Sequence, residues 1–403
     1  MASPLKVAMV AACPLPCPRG TPVRIARMAE ALARRGHEVH VVTYHLGDGD
    51  LGDGVRVHRI PDIPTYRKLS PGPTCQKLLV LDTLLVRELR RVIRSQKFDL
   101  IHAHHVEGLL VGAAVRRSTG PPLIFDAHTL LASELPHYPL LLPSALVGWV
   151  GEWLDRRLPP MADHVISVTE NIRDRLIRSG GLPGHGVTVI GNGVESEKFD
   201  PTPSSGVADH DREKTITFAG NLAPYQGIGF LLRAIAILRA RGEVVRVVLV
   251  TETEDRLTGH HANLARALSI EGCVNVVRAD FNELPRWLQR SDVLVHPRPA
   301  CDGLPLKLLN YMAAGRPIVS FADSAVGLVH GESGWLVPDG SAEELAVGIQ
   351  TVLGQPELAA HLGAGARQAA LDRFSWNALA AQVEDVYRMV VQAAPARRVP
   401  ASS

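Results

Sequence analysis

A chain of 403 residues in which 46% of side chains are hydrophobic is too apolar for a disordered polypeptide and too long for one ordinary core, so two domains of roughly 190 residues each are expected. Lys and Arg total 43 against 41 Asp and Glu, a formal charge of +2, which argues against nucleic acid as the main partner. The five cysteines, at positions 13, 17, 75, 273 and 301, are odd in number and scattered, and Cys13 and Cys17 have no second pair with which to complete a zinc knuckle; a reduced cytoplasmic setting is expected, with no metal and no cofactor.

In chain order, the first ten residues carry one Lys and a short apolar run before Pro14, which reads as a buried first strand at 6–10 rather than a signal peptide. Thr21 then caps a helix with Pro22 in its first turn, where the missing N–H costs nothing. Ile25, Met28 and Leu32 mark its buried side, Arg24, Arg27 and Arg34 its wet side, and Gly36 is placed to end it. A strand at 38–43 completes a βαβ unit, which belongs to a parallel sheet with a right-handed crossover. Helices near 77–95, 107–117 and 170–179 alternate with strands at 100–103, 123–125, 164–168 and 187–190. No stretch reaches the roughly 18 unbroken apolar residues of a membrane span; the nearest, 138–150, is interrupted by prolines. Trp149 and Trp153, beside Leu154, Arg156 and Arg157, read as a buried helix stripe in preference to a face resting on a membrane.

From 200 to 214 the composition turns to Pro, Ser, Gly and charge without periodicity, which is the best boundary. The second half starts over, with strands at 215–219, 244–250, 274–277, 292–296 and 318–321 and helices at 227–241, 261–268, 284–290 and 306–314. Two mostly parallel sheets with helices on both faces bind ligands at the carboxyl ends of their strands, and the cleft between the lobes is the default site.

Several residues at such ends carry candidate chemistry. Gly20 lies between first strand and first helix, where backbone amides can approach an anion or sugar, or where a tight turn is all that is needed. The dinucleotide glycine fingerprint is absent there. Asp126 and His128 follow a strand and share one side of it; His128 can hydrogen-bond a sugar hydroxyl or be a satisfied loop histidine. His102, His104 and His105 cluster with Glu107 but lack a familiar metal-ligand spacing. Gly191-Asn192-Gly193 is a turn first and a ligand contact second. The loop from Gly220 to Gly227 has the polar residues Asn221, Tyr225 and Gln226 and no cation, so a diphosphate there needs one from elsewhere. Lys307 can be that cation, with Asn310 and Tyr311 three and four residues on along the same helix. Arg298 is a further phosphate candidate, and Asp302, ahead of the helix, is either a ligand contact or an ordinary helix-start carboxylate.

With these residues and Glu332-Ser333-Gly334-Trp335-Leu336-Val337 in view, the chain resembles retaining glycosyltransferases of family 4. Pro305-Leu306-Lys307, the run from Tyr311 to Pro317 and the turn from Val189 to Val194 carry the resemblance most specifically, and it extends from near residue 5 to Phe374-Ser375-Trp376. It implies the GT-B fold: an α/β protein of two Rossmann-like, doubly wound domains facing across a cleft. Residues 1–199 would form the acceptor domain and 200–372 the nucleotide-sugar domain; 373–403 would be a helix crossing back toward the first domain, and a flexible tail. His128 and Lys307 would act in catalysis, His128 against the transferred sugar. Gly20, Asn192, Gly220, Asn221, Gln226, Arg298, Asp302, Gly303 and Asn310 would bind the donor, Asn310 at the ribose.

Asp302 and Asn310 stand where the family has a Glu pair, and Asn221 and Gln226 where its phosphate loop has Arg and Lys. Lys307 and Arg298 compensate, or the donor differs, or activity is lost. The expected reaction moves a sugar from a nucleoside diphosphate, UDP or GDP first, to a hydroxyl or other nucleophile of a small-molecule, glycan or lipid-linked acceptor. An impaired nucleotide-sugar-binding subunit and an epimerase or phosphorylase of the same fold are the alternatives, and contact with the inner face of a membrane and homo-oligomerisation stay open.

Overall fold

Parallel strands covered on both faces are mostly apolar, and Lys6–Ala11 and Glu38–Thr43 are buried beyond their first residues; the polar exceptions are hydrogen-bonded, Thr43 Oγ1 donating to the Cys13 carbonyl at 2.7 Å and His40 Nδ1 lying 2.9 Å from His58 Nε2. The computed structural model of the chain describes residues 3–17, 20–47, 49–69, 72, 74, 76–138, 144–180, 182–199, 213–252, 254–299 and 305–393. They divide into two compact units, Met1–Asn192 with Trp376–Ser403, and Gly193–Ser375.

The sheet of the first unit contains β1 (Lys6–Ala11), β2 (Glu38–Thr43), β3 (Val55–Arg59), β4 (Leu100–His104), β5 (Leu123–Ala127), β6 (His164–Ser167) and β7 (Val187–Val189), all parallel, in the order β3-β2-β1-β4-β5-β6-β7. Its helices are α1 (Gly20–Arg34), α2 (Asp82–Ser95), α3 (His105–Thr119), α4 (Leu131–Glu134), α5 (Ser144–Arg157) and α6 (Glu170–Gly180). Strand alternation splits the core in two: Ala8 and Val10 face a cluster with Leu85, Leu89 and Leu109, while Val7, Met9 and Ala11 face one with Ile25, Met28 and Leu32 of α1. The strand order reverses between β1 and β4, so the connections leaving their carboxyl ends run to α1 and α3 on opposite faces of the sheet and leave room for a ligand between them. The edge strand β3 is only half-buried and reads Val-Arg-Val-His-Arg, too polar to stand out in the sequence.

The second unit repeats the plan with β8 (Lys214–Ala219), β9 (Val245–Thr251), β10 (Val274–Arg278), β11 (Val293–His296), β12 (Ile318–Phe321) and β13 (Trp335–Val337), parallel in the order β10-β9-β8-β11-β12-β13. Around them lie α7 (Ile228–Ala240), α8 (Gly259–Ala267), α9 (Leu284–Gln289), α10 (Leu306–Ala314), α11 (Ala342–Gly354) and α12 (Pro356–Ala369). The order reverses between β8 and β11, and the two loops that leave these strands pack tightly: a Cβ on Gly227 would stand 1.8 Å from the carbonyl oxygen of Pro297.

The last helix, α13 (Trp376–Ala393), belongs to the first unit. Trp376, Leu379, Ala380, Val383, Val386, Tyr387 and Val390 recur at helical spacing and join the α1 side of that core. One expectation fails on α5. Its buried side runs through Val147, Gly151 and Asp155, because a Cβ on Gly151 would lie 2.6 Å from the Ala132 backbone. That close approach to α4 turns the tryptophans outward, Trp149 63% and Trp153 48% exposed, so they are not a buried stripe.

Candidate functional site

In the second unit, the carboxyl end of β8 is held by Tyr311 of α10, whose hydroxyl accepts from the Ala219 N–H at 2.5 Å and donates to the Ala219 carbonyl at 3.2 Å. Tyr311 is fully buried, so this bond fixes how far α10 stands from the strand end. Gly220 follows at φ 143°, a conformation disfavoured for residues with a Cβ, and a Cβ there would lie 2.7 Å from Lys307 Nζ. The Lys307 ammonium therefore rests directly over the glycine. It lies 4.4 Å from the Phe218 ring centroid and donates to Gln226 Oε1 at 2.5 Å. Gln226 Nε2 donates in turn to Asn221 Oδ1 at 3.1 Å, and Asn221 Nδ2 to the Tyr225 hydroxyl at 3.1 Å.

The loop that lacks its own cation thus receives one from α10 through a chain of neutral amides. A hollow of about 310 Å³ opens here, lined by Gly220, Asn221, Thr251, Lys307, Asn310 and Tyr311 among others. The N-cap residues of α7 and α10, Gly227 and Pro305, make no side-chain cap bond, and both helix starts present amides and the positive end of a dipole. The Arg298 guanidinium lies 5.0 Å from the Tyr225 ring centroid. At the end of β11, His296 is fully buried, with Nδ1 against Ser320 Oγ and Ser324 Oγ. Burial, then the charges of Lys307 and Arg298, bring it down to about 3, so it is a neutral imidazole. The structure groups Gly220, Asn221, Gln226, Lys307 and Asn310 in this unit; Asp302 and Gly303 lie outside the described residues.

In the first unit the expected wet side of α1 is wrong at one position. Arg24 is 2% exposed, and its guanidinium pairs with Asp126 at 3.2 Å while donating to the carbonyls of Ile190, at 2.8 Å, and Gly191. Nη1 also lies 3.4 Å from Asn192 Oδ1. The signal was present: Arg24 is one turn before the buried Met28, whereas Arg27 and Arg34 lie further round the helix. Through Arg24, the first turn of α1 with Gly20, the end of β5 and the 190–192 turn are tied to one point. Gly20 itself opens α1, with open space where a Cβ would be.

Burial pushes the Asp126 carboxyl up, but the Arg24 guanidinium, with His128 and His104, outweighs it and holds it well below the usual carboxylate range. His128, 9% exposed, stacks on His105 at 4.6 Å and lies 3.2 Å by Nε2 from His104 Nδ1. Burial holds its imidazole well below the ordinary value against the pull of Asp126, so at neutral pH it is an uncharged hydrogen-bonding group. His102, His104 and Asp126 place ligand-capable atoms within 4.8 Å of one another. A cation there would meet Arg24 on the same carboxylate. Glu107, read with these histidines, pairs instead with Lys77. That pair, and Tyr44 donating to Asp82 at 2.5 Å, join residues 30 and 38 positions apart, beyond the reach of any local sequence pattern.

A larger hollow, about 690 Å³, lies among Arg116, Pro122, Asp163 and His164, at the amino ends of β5 and β6. The carboxyl ends are where parallel α/β sheets hold ligands, so size does not decide the site.

Two family models match the chain: a glycosyl transferase 4-like domain over residues 19–193 and glycosyl transferases group 1 over residues 213–355. The chain is 28% identical over 400 residues to D-inositol 3-phosphate glycosyltransferase 2 of Catenulispora acidiphila, covering 93% of this chain and 90% of the relative. Among solved structures it is similar to a sucrose-phosphate synthase from Thermosynechococcus elongatus, with a TM-score of 0.68 and 22% identity, covering 96% of this chain and 100% of that one. It is also similar to Anabaena Alr3699/HepE in complex with UDP and glucose, with a TM-score of 0.66 and 20% identity, covering 95% and 99%. The first matched segment holds β2 to β7 and the second β8 to β13, and the chain is a glycosyltransferase, an enzyme of the family 4 type with the GT-B fold.

Proposed function

We propose that the protein transfers a sugar from a nucleoside diphosphate to a hydroxyl acceptor with retention at the anomeric carbon. The observation that carries this reading is the Lys307 ammonium resting over Gly220, beside two helix starts whose N-cap residues, Gly227 and Pro305, make no side-chain cap bond. As the bond from the anomeric carbon to the diphosphate oxygen breaks, negative charge grows on the departing phosphate. A fixed ammonium and backbone amides stabilise that charge more than they stabilise the ground state. The acceptor oxygen bonds to the same face of the anomeric carbon, and its proton passes to the phosphate oxygen that leaves. His128, uncharged, is assigned to a hydroxyl of the transferred sugar, Asn310 to the ribose, and Arg298 to the phosphates with Lys307. Asn221 and Gln226 hold Lys307 in place. Gly20 and Asn192 are assigned to backbone approach at the substrates.

A bound UDP in the Anabaena structure and the inositol phosphate named for the Catenulispora relative support UDP as the first donor nucleotide to try and a small polyol as the first acceptor. Calorimetric titration with UDP, GDP and ADP tests the donor site. Lys307→Ala should weaken the preferred nucleotide by roughly 10- to 100-fold, since a charge-assisted hydrogen bond is worth about 1.5–3 kcal/mol. Unchanged affinity removes Lys307 from the site, and an inverted anomer in the proton NMR spectrum of fresh product ends the retention assignment.

A further inference from the structure

Helix α5 presents two tryptophans to water, Trp149 and Trp153, with Leu146 exposed as well. Steps of three and four residues put them on one stripe. Arg157 continues it, its guanidinium 5.9 Å from the Trp153 ring centroid. Trp376 is buried and Trp287 and Trp335 half-buried, so this exposure is particular to α5. Beside the stripe, a groove of about 540 Å³ is lined by both tryptophans and by Arg156, Arg175 and Arg178. Arg156 donates to the Ser179 carbonyl at 2.8 Å, Arg178 to the Asp174 carbonyl at 3.2 Å and Arg175 to Ser133 Oγ at 3.1 Å, each a neutral acceptor. Of the two carboxylates at the groove, Asp155 is buried, accepts from the Leu131 and Ala132 amides at 2.9 Å and is also stabilised by the Arg175 charge, and Glu152 is exposed, so the arginines outnumber the carboxylates there. On a chain of formal charge +2, four arginines around an apolar stripe are a local concentration of positive charge.

We propose that this face of the first unit docks on an anionic lipid bilayer. Indole rings favour the depth of the headgroups, where their apolar body leaves water and the N–H stays hydrated. Arginines flanking the rings meet the lipid phosphates, and such a surface potential favours each bound cation. Among the described residues no helix is long and apolar enough to cross a membrane, so the contact lies on the surface. This reading does not depend on which sugar or nucleotide the enzyme uses.

Cosedimentation of the full chain with vesicles of phosphatidylcholine alone, and of phosphatidylcholine with phosphatidylglycerol, tests it. The chain should pellet with the anionic vesicles, shift its tryptophan emission to the blue, and release as salt rises. Arg175→Gln with Arg178→Gln should lower the partition coefficient about fivefold per arginine. Trp149→Ser with Trp153→Ser should lower it roughly tenfold or more and abolish the blue shift. All four side chains are at the surface or groove rim, and a urea midpoint equal to that of the parent shows that each variant folds. The arginine pair tests the charge contribution with the tryptophans intact. No binding, equal binding to both vesicle types, or binding unchanged in either variant overturns the proposal.

Discussion

Arg24 and Asp126 are both almost wholly buried, and each would be a poor choice for the interior without the other. The pair also satisfies the carbonyls of Ile190 and Gly191, so its charge is spread over three segments. Removing one partner leaves an uncompensated charge in a low-dielectric core. Arg24→Met or Asp126→Asn should each cost about 3–5 kcal/mol in urea unfolding, and the double variant should cost less than the sum of the two. Additive losses would show that the ions are not coupled. This residue was legible only in part: the helix period placed it beside Met28, but its partner is 102 residues away, and no local pattern names it.

At the scale of elements, α13 is fixed to α1 by an apolar stripe and by one ionic clamp. Glu384 accepts from Arg35 Nε at 2.8 Å and from Arg388, and the Tyr387 hydroxyl lies 2.7 Å from His102 Nδ1. Burial pushes Glu384 up, yet the hydrogen bonds of Arg388 and Arg35 outweigh it and lower it from 4.5 to about 2. A carboxyl depressed in the folded state stabilises it above the unfolded value, and the gain is lost as pH falls through the folded one. Stability contributed by the clamp should therefore be complete above about pH 4.5 and disappear toward pH 2. Arg35 is 30% exposed, and solvent screening limits the effect to about 1 kcal/mol. Glu384→Gln should flatten this part of the stability profile measured by urea titration at stepped pH; an acid limb identical to the parent would assign the loss to other carboxyls.

Across the whole molecule, the same sheet plan occurs twice, and the second unit places an ammonium over a strand-end glycine beside helix starts whose N-cap residues, Gly227 and Pro305, make no side-chain cap bond. If the proposed donor site is right, UDP at 100 times its dissociation constant should stabilise the protein by about 2.7 kcal/mol. Hydrogen exchange should slow most in the 219–227 and 305–311 segments, with the core strands β1 to β7 unaffected. Protection confined to the first unit would move the nucleotide site there.

The alternation of strands and helices, the two-unit plan and the membership in a glycosyltransferase family were determined by the sequence alone, because apolar runs, helical periodicity and glycine turns act over a few neighbouring residues. The edge strands β3 and β13 escaped for different reasons: half-buried β3 carries polar residues that blur the pattern, and β13, Trp335–Val337, is too short at three residues to display a period. Contacts between distant segments were decided only by tertiary structure: Arg24 inside rather than outside, Trp149 and Trp153 outside rather than inside, and Lys307 joined to Gln226 across 81 residues. A charge partner from another element overrode the local pattern at Arg24 and a close backbone approach did so at the tryptophans, while Lys307, expected as a cation for that loop, gained its amide partner; such neighbours exist only once the chain has folded.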